Sequence, residues 1–332
     1  MPILYKDAGV DIDRLNILKR EIGKKVKKTF SPAVLSEIGL FGSLYQLSGY
    51  KEPVLVSSVD GVGTKLLIAQ MMERHNTVGE DLVNHSVNDI LTLGAKPLFF
   101  LDYIAFSEIE DKVLKEIFFG LRRACQKNKV SLVGGETAQM PGIYPKGVYD
   151  LVGFIVGVVE KKKMITGKKI KEGDLVLGLP SNGLHTNGYS LARKILLEEK
   201  KFRLDESPFP LKNELGDELL RVHKSYLKEV SPFLSLIKGI AHITGGGFYE
   251  NIKRILPEGV SVFIKKGSWQ IPEIFRLIQD AGSIPDEEMY RVFNMGIGMV
   301  LFVAKENLRR IKSKGLKVIG EVKKGKREVV IE

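Results

Sequence analysis

The stretch PVLVSSVDGVGTK, Pro53–Lys65, decides the organisation of the chain around it. Its first half contains the apolar, β-branched run Val54–Val56, which predicts a buried strand. The glycine-containing segment Asp60–Lys65 follows, and the apolar run Leu66–Ala69 after it predicts a helix. A strand that turns directly into a helix presents backbone N–H groups and the positive end of the helix dipole to an anion. The stretch therefore predicts a phosphate-binding turn.

The residue types in this turn suit a nucleoside triphosphate. Gly61 and Gly63 let a phosphate approach the backbone where a Cβ would block it. Lys65 can neutralise phosphate charge, and Asp60 can hold the metal ion that accompanies the triphosphate. The segment is not a Walker A loop, because Thr64 precedes the lysine instead of following it. The structural alternative is a tight turn that carries an exposed lysine.

Composition limits the class of protein. A length of 332 residues predicts two domains, and 44% hydrophobic residues suffice for full cores. No apolar run reaches the length of a membrane span, and the N-terminus lacks a signal-peptide pattern. The single cysteine, Cys125, excludes an internal disulfide framework and is typical of a reducing compartment. We expect a cytoplasmic protein with no membrane partner.

The net charge of +11, from 51 basic and 40 acidic residues, allows two interpretations. One is a nucleic-acid binder, and the other is a lysine-rich surface around a site for an anionic ligand. The basic residues are spread along the chain, as at Lys24-Lys25 and Lys323-Lys324, and aromatic residues are not interleaved with them. A stacking platform for bases needs such aromatics. We therefore expect no nucleic-acid partner.

Two further segments contribute carboxylates. Residues 80–91 have helical spacing, so His85 and Asp89 share one face. We predict Asp89 as an oxygen ligand for Mg²⁺, His85 as a packed or solvated residue, and Asn88 as a group that ligates or orients the phosphate. In the second segment, a short strand at Ser131 runs into Gly134 and Gly135.

Glu136 follows those two glycines, at the predicted end of the strand. Three carboxylates from separate strand and helix ends suit a hard, oxygen-liganded cation. We therefore predict that Glu136 shares one ion with Asp60 and Asp89. The alternative is that Glu136 only caps a turn.

The second half begins after a basic connector, 161–173, and we place the domain boundary between residues 165 and 166. His185 lies in a polar loop between a predicted strand and a predicted helix. It is the best candidate for a general acid or base, and a solvated loop histidine is the alternative. A later strand–glycine–helix junction contains Thr244, Gly245, Gly246 and Gly247 and predicts a second anion site, which suits a phosphate of the substrate.

The N-terminal segment 5–13 precedes the first helical pattern and has little to bury. Its polar groups are Lys6, Asp7 and Asp11. It is either a floppy terminus or a segment that folds over a bound ligand.

The order of motifs identifies a family. The stretches YKDAGVDI, DGVGTK, VNDI, PLFFLDY, LVGGETAQMPG, GLHTNGYSLARKI, ITGGGFYENI and MYRVFNMGIGM run along the chain from Tyr5 to the VVIE terminus. In this order they closely resemble the phosphoribosylformylglycinamidine cyclo-ligase family of purine biosynthesis. Two positions depart from the family pattern: Ser57-Ser58-Val59 replaces Ser-Gly-Thr, and Gln139 replaces a common Glu.

The resemblance implies an α+β fold. An N-terminal α/β domain, residues 1–165, contributes strands to a barrel that closes across a homodimer, and a C-terminal mixed-sheet α/β domain, residues 166–332, covers it. The implied reaction is ATP-dependent closure of formylglycinamidine ribonucleotide to aminoimidazole ribonucleotide, ADP and phosphate. Phosphorylation of the amide oxygen gives an iminophosphate, from which phosphate leaves as the ring closes.

The resemblance also implies roles for the candidate residues. Asp60, Asp89 and Glu136 would hold Mg²⁺. His185 and Lys65 would serve catalysis. Thr244–Gly247 would bind the ribose phosphate, and Lys6, Asp7 and Asp11 would form a lid that excludes water. The ATP phosphates would contact Gly61, Gly63, Thr64, Lys65, Asn88, Gly134, Gly135, Lys6 and Asp11.

Three alternatives remain at this point. Selenophosphate synthetase has a similar architecture, but it carries a reactive N-terminal Cys or selenocysteine, and the only cysteine here is Cys125 within a predicted helix. A thiamine-monophosphate kinase would lack the C-terminal matches. A nucleotide sensor without catalytic activity would not need three carboxylates for a metal ion.

Overall fold

The computed structural model of the protein describes residues 2–332. Two units divide the chain. The first contains the residues up to Ile90 together with Lys96–Glu160, and the second contains Leu91–Ala95 and Lys161–Glu332. The predicted boundary after residue 165 falls a few residues beyond Glu160. The assignment of Leu91–Ala95 to the second unit has no counterpart in the prediction, because it depends on contacts between residues far apart in the chain.

The first unit is built on a four-stranded mixed sheet. Its strands are β1 (Pro53–Gly61), β2 (Lys96–Phe106), β3 (Ser131–Gln139) and β4 (Tyr149–Glu160), in the order β1-β4-β2-β3. Strands β2 and β3 are parallel, and the other two pairs are antiparallel. The helices are α1 (Ile12–Val26), α2 (Lys65–Met71), α3 (Val78–Leu91) and α4 (Asp111–Asn128), with 3₁₀ turns at Tyr5–Ala8 and Lys27–Thr29.

The two faces of this sheet differ in burial. Phe100 and Gly153 belong to one face, where the Leu82 side chain of α3 packs close to Gly153. The opposite face carries the cross-strand pair Val59 and Phe154, whose side chains are 62% and 39% exposed. Successive side chains of a strand point to opposite faces of the sheet, so residues of the covered face alternate with residues of the open face along each strand. Val59 and Phe154 leave this part of the open face apolar and exposed, whereas Phe99 on the same face lies under the ring of Tyr45, with the two ring centroids 5.3 Å apart.

The predicted order of strand, glycine turn and helix is confirmed. Strand β1 ends at Gly61 and α2 begins at Lys65. Gly63 has φ +70°, a conformation that favours glycine, which explains its place in the turn. The glycine pair at Gly134 and Gly135 does not end a strand, contrary to the prediction from the sequence.

Strand β3 does not end at these glycines but continues to Gln139. A Cβ on Gly135 would lie 2.7 Å from Oδ1 of Asp102 on the neighbouring strand. Gly135 is therefore a glycine because Asp102 occupies the space beside its backbone, and not because the chain turns there.

The second unit contains a six-stranded mixed sheet in the order β10-β7-β9-β5-β8-β6, in which only β10 and β7 are parallel. The strands are β5 (Leu175–Pro180), β6 (Ile237–His242), β7 (Val260–Ile264), β8 (Ile297–Val303), β9 (Lys317–Lys324) and β10 (Val329–Ile331). The α-helices are α5 (Tyr189–Arg193), α6 (Leu215–Leu219), α7 (Leu227–Val230), α8 (Gly247–Lys253), α9 (Glu273–Gly282) and α10 (Asp286–Val292). Shorter helical turns are 3₁₀ at Lys161–Lys163, Ser231–Leu236 and Lys305–Arg310 and π at Lys194–Glu199.

Strands β5, β6 and β8 carry much of the core of this unit. Leu177, Ile240 and Leu301 are almost completely buried, and Tyr226 packs with them. The α+β class and the mixed sheet of the second half are confirmed. Among residues 2–332, no helix has the length and apolarity that crossing a membrane requires.

Gly153→Ala should destabilise the first unit. The new Cβ would lie 2.3 Å from Cζ of the buried Phe100, and overpacking a core of this density costs about 1–3 kcal/mol. Thermal unfolding followed by circular dichroism should show a melting temperature lowered by several degrees. The control is Gly42→Ala, whose Cβ would meet nothing within 4 Å. Equal melting temperatures for the two variants would contradict the packing described here.

Candidate active site

The structure brings Asp60 and Asp89 together around one imidazole. Nε2 of His85 lies 3.0 Å from Oδ2 of Asp60 and 3.7 Å from Oδ2 of Asp89. The hydroxyl of Ser58 donates to Oδ2 of Asp89 over 3.1 Å. Ser58 and Asp60 are two residues apart on β1 and His85 and Asp89 four apart on α3, so each pair shares a face of its element. The carboxylates of β1 and α3 therefore converge as predicted.

The imidazole and the carboxylates stabilise each other's charged forms. Burial by itself would lower the pKa of His85, but the hydrogen bond to Asp60 and the nearby acidic charges outweigh burial, so this pKa is raised. Partial burial would raise the pKa of Asp60, but the hydrogen bond and positive charge of His85 lower it below its ordinary value. His85 is packed, as one interpretation of the sequence held, and it also bridges the two predicted metal ligands.

The donor set fits a hard divalent cation. Two carboxylates contribute oxygen atoms, and the Asp60 side chain is 47% exposed, so a ligand can reach it from solvent. Mg²⁺ is commonly bound by one or two carboxylates, with waters and substrate phosphates as its remaining ligands. The backbone turn at Gly61–Thr64 lies directly beside Asp60 in the chain, where those phosphates would bind.

Lys65 differs from the expectation. Its side chain is completely buried, and Nζ lies 3.0 Å and 2.9 Å from the two carboxylate oxygens of the equally buried Asp81. The ammonium group therefore does not face solvent, where a triphosphate would lie. Instead the ion pair joins the first residue of α2 to α3. A single sequence cannot indicate such a partner, because Asp81 lies on another helix and its spacing from Lys65 has no local meaning.

Glu136 requires a correction. Glu136 on β3 belongs to one row across the sheet with Tyr103 on β2, Val152 on β4 and Gly61 on β1. Three strand spacings, about 14 Å in total, therefore separate Glu136 from the end of β1. It also lies on the opposite face from Asp60, because Asp60 shares its row with Gly153. Within one chain, Glu136 cannot ligate an ion together with Asp60 and Asp89. Its side chain is 62% exposed and lies 3.6 Å from Nζ of Lys19.

The same register moves Gly134 and Gly135 away from the turn at Gly61. The row that contains Gly135 reaches Asp60 only through Asp102 and Gly153, again three strands away. The prediction that this glycine pair cradles the same phosphates within one chain is therefore corrected as well. Both errors arose because the prediction from the sequence ended β3 at Gly134 and Gly135, whereas the strand continues to Gln139.

The N-terminal segment is anchored near its C-terminal end, at Asp11. Asp11 is the N-cap of α1 and accepts the backbone N–H of Arg14 over 3.0 Å. That hydrogen bond, and the one from Lys6, lower the pKa of Asp11. Its own backbone N–H donates to Oε1 of Gln139, the residue that departs from the family pattern. The side chains of Lys6 and Asp11 form an ion pair at 3.2 Å.

In the second unit, His185 is not a solvated loop residue. It is completely buried at φ +62°, and its Nε2 accepts the backbone N–H of Asn182 over 2.9 Å. Gly298 on β8 makes room for it, because a Cβ there would lie 2.5 Å from Cε1 of His185 and 2.2 Å from the Tyr226 hydroxyl. The loop between β5 and α5 is thus folded around this imidazole.

Two further histidines, which the sequence did not indicate, adjoin it. The ring of His223 stacks on His185 with centroids 4.0 Å apart, and Nε2 of His223 lies 3.0 Å from Nε2 of His242. Nδ1 of His223 lies 3.2 Å from the hydroxyl of Thr186. One ring nitrogen from each of the three histidines lies within 4.8 Å of the others, and the 3.0 Å between the two Nε2 atoms is a hydrogen-bond distance. No spacing rule relates these three positions, and only the fold brings them together.

The turn Thr244–Gly247 is tightly constructed. Asn251 Nδ2 donates to the carbonyl oxygens of Thr244, Gly245 and Gly247 over 2.8–3.3 Å. A Cβ on Gly247 would lie 2.0 Å from the carbonyl oxygen of Tyr290. The turn precedes α8, as the sequence predicted, and the Asn251 amide orders it.

Comparison with known proteins gives the family. Two models match the chain: the N-terminal domain of AIR synthase related protein over residues 44–159, and the C-terminal domain of the same family over residues 171–332. The chain belongs to the AIR synthase related protein family. The resemblance inferred from the motifs is therefore confirmed.

Curated relatives resemble this AIR synthase related chain over nearly its whole length. A phosphoribosylformylglycinamidine cyclo-ligase of Thermoanaerobacter pseudethanolicus is 50% identical and covers 98% of this chain and 99% of its own. A protein of the same name from Pseudothermotoga lettingae is 48% identical over 100% of both chains.

Solved structures share the fold at much lower identity. The hydrogenase maturation protein HypE in complex with ATP is 15% identical, has a TM-score of 0.69, and covers 98% of this chain and 93% of its own. A thiamine-monophosphate kinase from Stenotrophomonas maltophilia is 15% identical, with a TM-score of 0.65, and covers 97% and 95%. At such identities the likeness supports the AIR synthase related fold alone.

Asp81→Asn should destabilise this AIR synthase related protein strongly. The substitution removes the charge partner of a fully buried ammonium group, and breaking a buried pair in this way costs about 3–5 kcal/mol. Urea denaturation followed by circular dichroism measures the loss. Asp13→Asn, at an exposed position of the first helix, is the matched control and should change stability by less than about 0.5 kcal/mol. Equal midpoints for the two variants would exclude the buried pair.

Proposed function

We propose that this chain is an ATP-dependent cyclo-ligase, which closes the imidazole ring of formylglycinamidine ribonucleotide and releases aminoimidazole ribonucleotide, ADP and phosphate in de novo purine biosynthesis. The observation that carries the proposal is the convergence of Asp60 and Asp89 beside the Gly61–Thr64 turn. Full-length similarity to cyclo-ligases supports the choice of substrate.

The reaction needs an activated amide. An amide carbonyl is a poor electrophile at this step because its oxygen is a poor leaving group. Transfer of the γ-phosphoryl group of ATP to that oxygen gives an iminophosphate, and the amidine nitrogen then attacks the carbon as phosphate departs. Alignment and neutralisation of charge contribute most to phosphoryl transfer. The protein must therefore hold the triphosphate and the amide in one orientation.

The first unit supplies the triphosphate site. Backbone N–H groups at Gly63 and Thr64 contact the phosphates at the start of α2, and the N–H of Gly61 orients Asp60 by donating to its Oδ1 over 2.7 Å. Asp60 and Asp89 hold Mg²⁺, which neutralises phosphate charge when it is bound. His85 and Ser58 orient these two carboxylates, as hydrogen-bonded partners of metal ligands do.

Other residues of the first unit support this site by positioning its elements or by excluding water. Lys65 acts through Asp81 by fixing α2 against α3, so its role is positioning and not contact with phosphate. Asn88 is buried on α3, next to Asp89, and orients Asp89 and the turn. Lys6 and Asp11 belong to a segment that closes over the ligand and excludes water, which would otherwise hydrolyse the iminophosphate.

The second unit supplies groups for the rest of the substrate. The ordered turn at Thr244, Gly245, Gly246 and Gly247 binds the ribose phosphate. His185 holds the 181–187 loop through its Nε2, and any proton transfer by this residue uses Nδ1.

The open face of the first sheet supports a homodimer. Leu55 and Val59 on β1 are each 62% exposed, and Phe154 on β4 adjoins Val59. An apolar patch of this kind is rarely left in water. A second copy that covers this face, in the barrel that the family resemblance implies, would bury it. Glu136 lies on this open face, so any contribution that it makes to ATP binding requires the assembled dimer. The buried free thiol of Cys125 is consistent with the cytoplasm.

Charges on the open face should prevent assembly. Val59→Glu and Phe154→Glu each place a carboxylate in the proposed contact, where it would lose its hydration without a partner. Light scattering after size-exclusion chromatography should give a dimer mass for the unmodified protein and a monomer mass for both variants. Ile17→Glu, at an exposed position of α1, is the control and should stay dimeric. A monomeric unmodified protein, or dimers of both variants, would overturn the proposed assembly.

Removal of either carboxylate should abolish turnover. Asp60→Asn and Asp89→Asn should lower phosphate release from ATP with formylglycinamidine ribonucleotide by about 100-fold or more, because charge that develops on the phosphates loses its counterion. Asp280→Asn, at an exposed residue of α9, should retain full activity.

The same assay separates the alternatives. The proposed function requires phosphate release to depend on formylglycinamidine ribonucleotide. Release that instead depends on thiamine monophosphate or selenide would assign the chain to a different reaction. ATP binding without any phosphate release would indicate a nucleotide-binding protein.

A further inference from the structure

A cavity of about 350 Å³ lies in the first unit, between α1 and α4 and outside the site described above. Its apolar wall includes Ile22 and Val26 of α1 and Phe118 and Phe119 of α4. Ile22 and Val26 are buried, whereas the ring of Phe119 is 44% exposed. The volume falls at the lower end of the range of small-molecule sites, and such sites are mostly apolar with a few polar groups.

Basic side chains form the rest of the lining: Lys25, Lys28, Lys115 and Arg122. Lys115 forms an ion pair with Glu21 at 3.1 Å. Throughout residues 2–332, no carboxylate lies within ion-pair distance of Lys25, Lys28 or Arg122. The cavity therefore has an excess of positive charge that the chain itself does not neutralise.

Arg122 places a guanidinium cation beside the apolar wall of the cavity. Its Nε is buried from solvent and, among the described residues, has no hydrogen-bond partner. The guanidinium carbon lies 5.5 Å from the ring centroid of Phe119, so the cation and the aromatic ring adjoin each other in the lining. Among residues 2–332 the guanidinium group of Arg122 has no carboxylate partner, and an anionic group in the cavity would pair with it.

We propose that this cavity binds a small anionic amphiphile, that is, a flat apolar body with one anionic group. The apolar body would contact Ile22, Val26 and Phe119, and the anionic group would lie against Lys25 and Arg122. Neither ATP nor the ribonucleotide substrate has this character, because each carries its charge on phosphates attached to a polar sugar. None of these residues belongs to the Asp60–Asp89 site.

The cavity is also separate from the open face of the sheet. Helix α4 packs against α3 on the covered face, since a Cβ on Gly79 of α3 would lie 2.3 Å from the carbonyl oxygen of Ile117 of α4. Assembly through Val59 and Phe154 would therefore leave the cavity accessible. Its ligand is bound by one copy of the chain, and binding does not depend on the proposed function.

A matched pair of fluorescent probes tests the proposal with the full-length protein. The probe 8-anilinonaphthalene-1-sulfonate has a sulfonate, and N-phenyl-1-naphthylamine has the same aromatic body without it. Both are titrated in the presence of saturating MgATP, which occupies the nucleotide site. We expect saturable binding of one sulfonate probe per chain, and binding of the neutral probe that is about tenfold weaker, as the loss of a charge-assisted contact predicts.

Variants locate the site. Lys25→Gln and Arg122→Gln should each weaken binding of the sulfonate probe by about tenfold and leave the neutral probe unchanged. Phe119→Ala should weaken both probes. Lys24→Gln, at the neighbouring exposed lysine that does not line the cavity, should change neither. Cooperative thermal unfolding of each variant excludes probe binding to a partly unfolded state.

Three results would each overturn the proposal. They are no saturable binding of the sulfonate probe, equal binding of the two probes, and sulfonate binding that Lys25→Gln and Arg122→Gln leave unchanged. Because no step measures ring closure, failure here leaves the proposed reaction untouched, and failure of the activity assay leaves this test untouched.

Discussion

A completely buried ion pair, Lys65 with Asp81, is the contact on which the arrangement of the first unit depends. It fastens the first residue of α2 to α3, directly after the glycine turn. An ammonium group and a carboxylate without solvent contact are costly unless they hold each other closely. The pair therefore permits one relative placement of the two helices. That placement determines where the turn and the carboxylate of Asp89 meet.

The convergence at His85 follows from this constraint. Once α3 is fixed, His85 faces the end of β1, where it contacts Asp60 as well as Asp89. The hydroxyl of Ser58 holds Asp89 from the strand side. Two carboxylates would repel each other at close range without a cation or a proton between them. The imidazole of His85 places positive charge beside both carboxylates and offsets this repulsion. Asp60 and Asp89 are therefore already in position before any ligand binds.

The sequence predicted the elements and part of the site. The strand, turn and helix from Pro53 to Met71 are where the pattern of apolar residues and glycines placed them. The convergence of Asp60 and Asp89 was also predicted. Glu136 was misplaced, because a glycine such as Gly135 looks the same in a sequence whether it makes a turn or clears space for Asp102 inside a strand. Lys65 was placed in solvent, because nothing local to it indicates Asp81.

The amino-acid sequence by itself determined the family, the α+β class and the local structure of the glycine turn. These follow from periodicity, from turn chemistry and from the order of motifs, which are properties of neighbouring residues. Only the tertiary structure decided which charges pair: Lys65 with Asp81, and His85 with Asp60. It also assembled the cluster of His185, His223 and His242 and, among residues 2–332, left Nε of Arg122 without an acceptor. Such contacts depend on strand register and helix packing, which bring together residues whose separation along the chain has no periodic pattern.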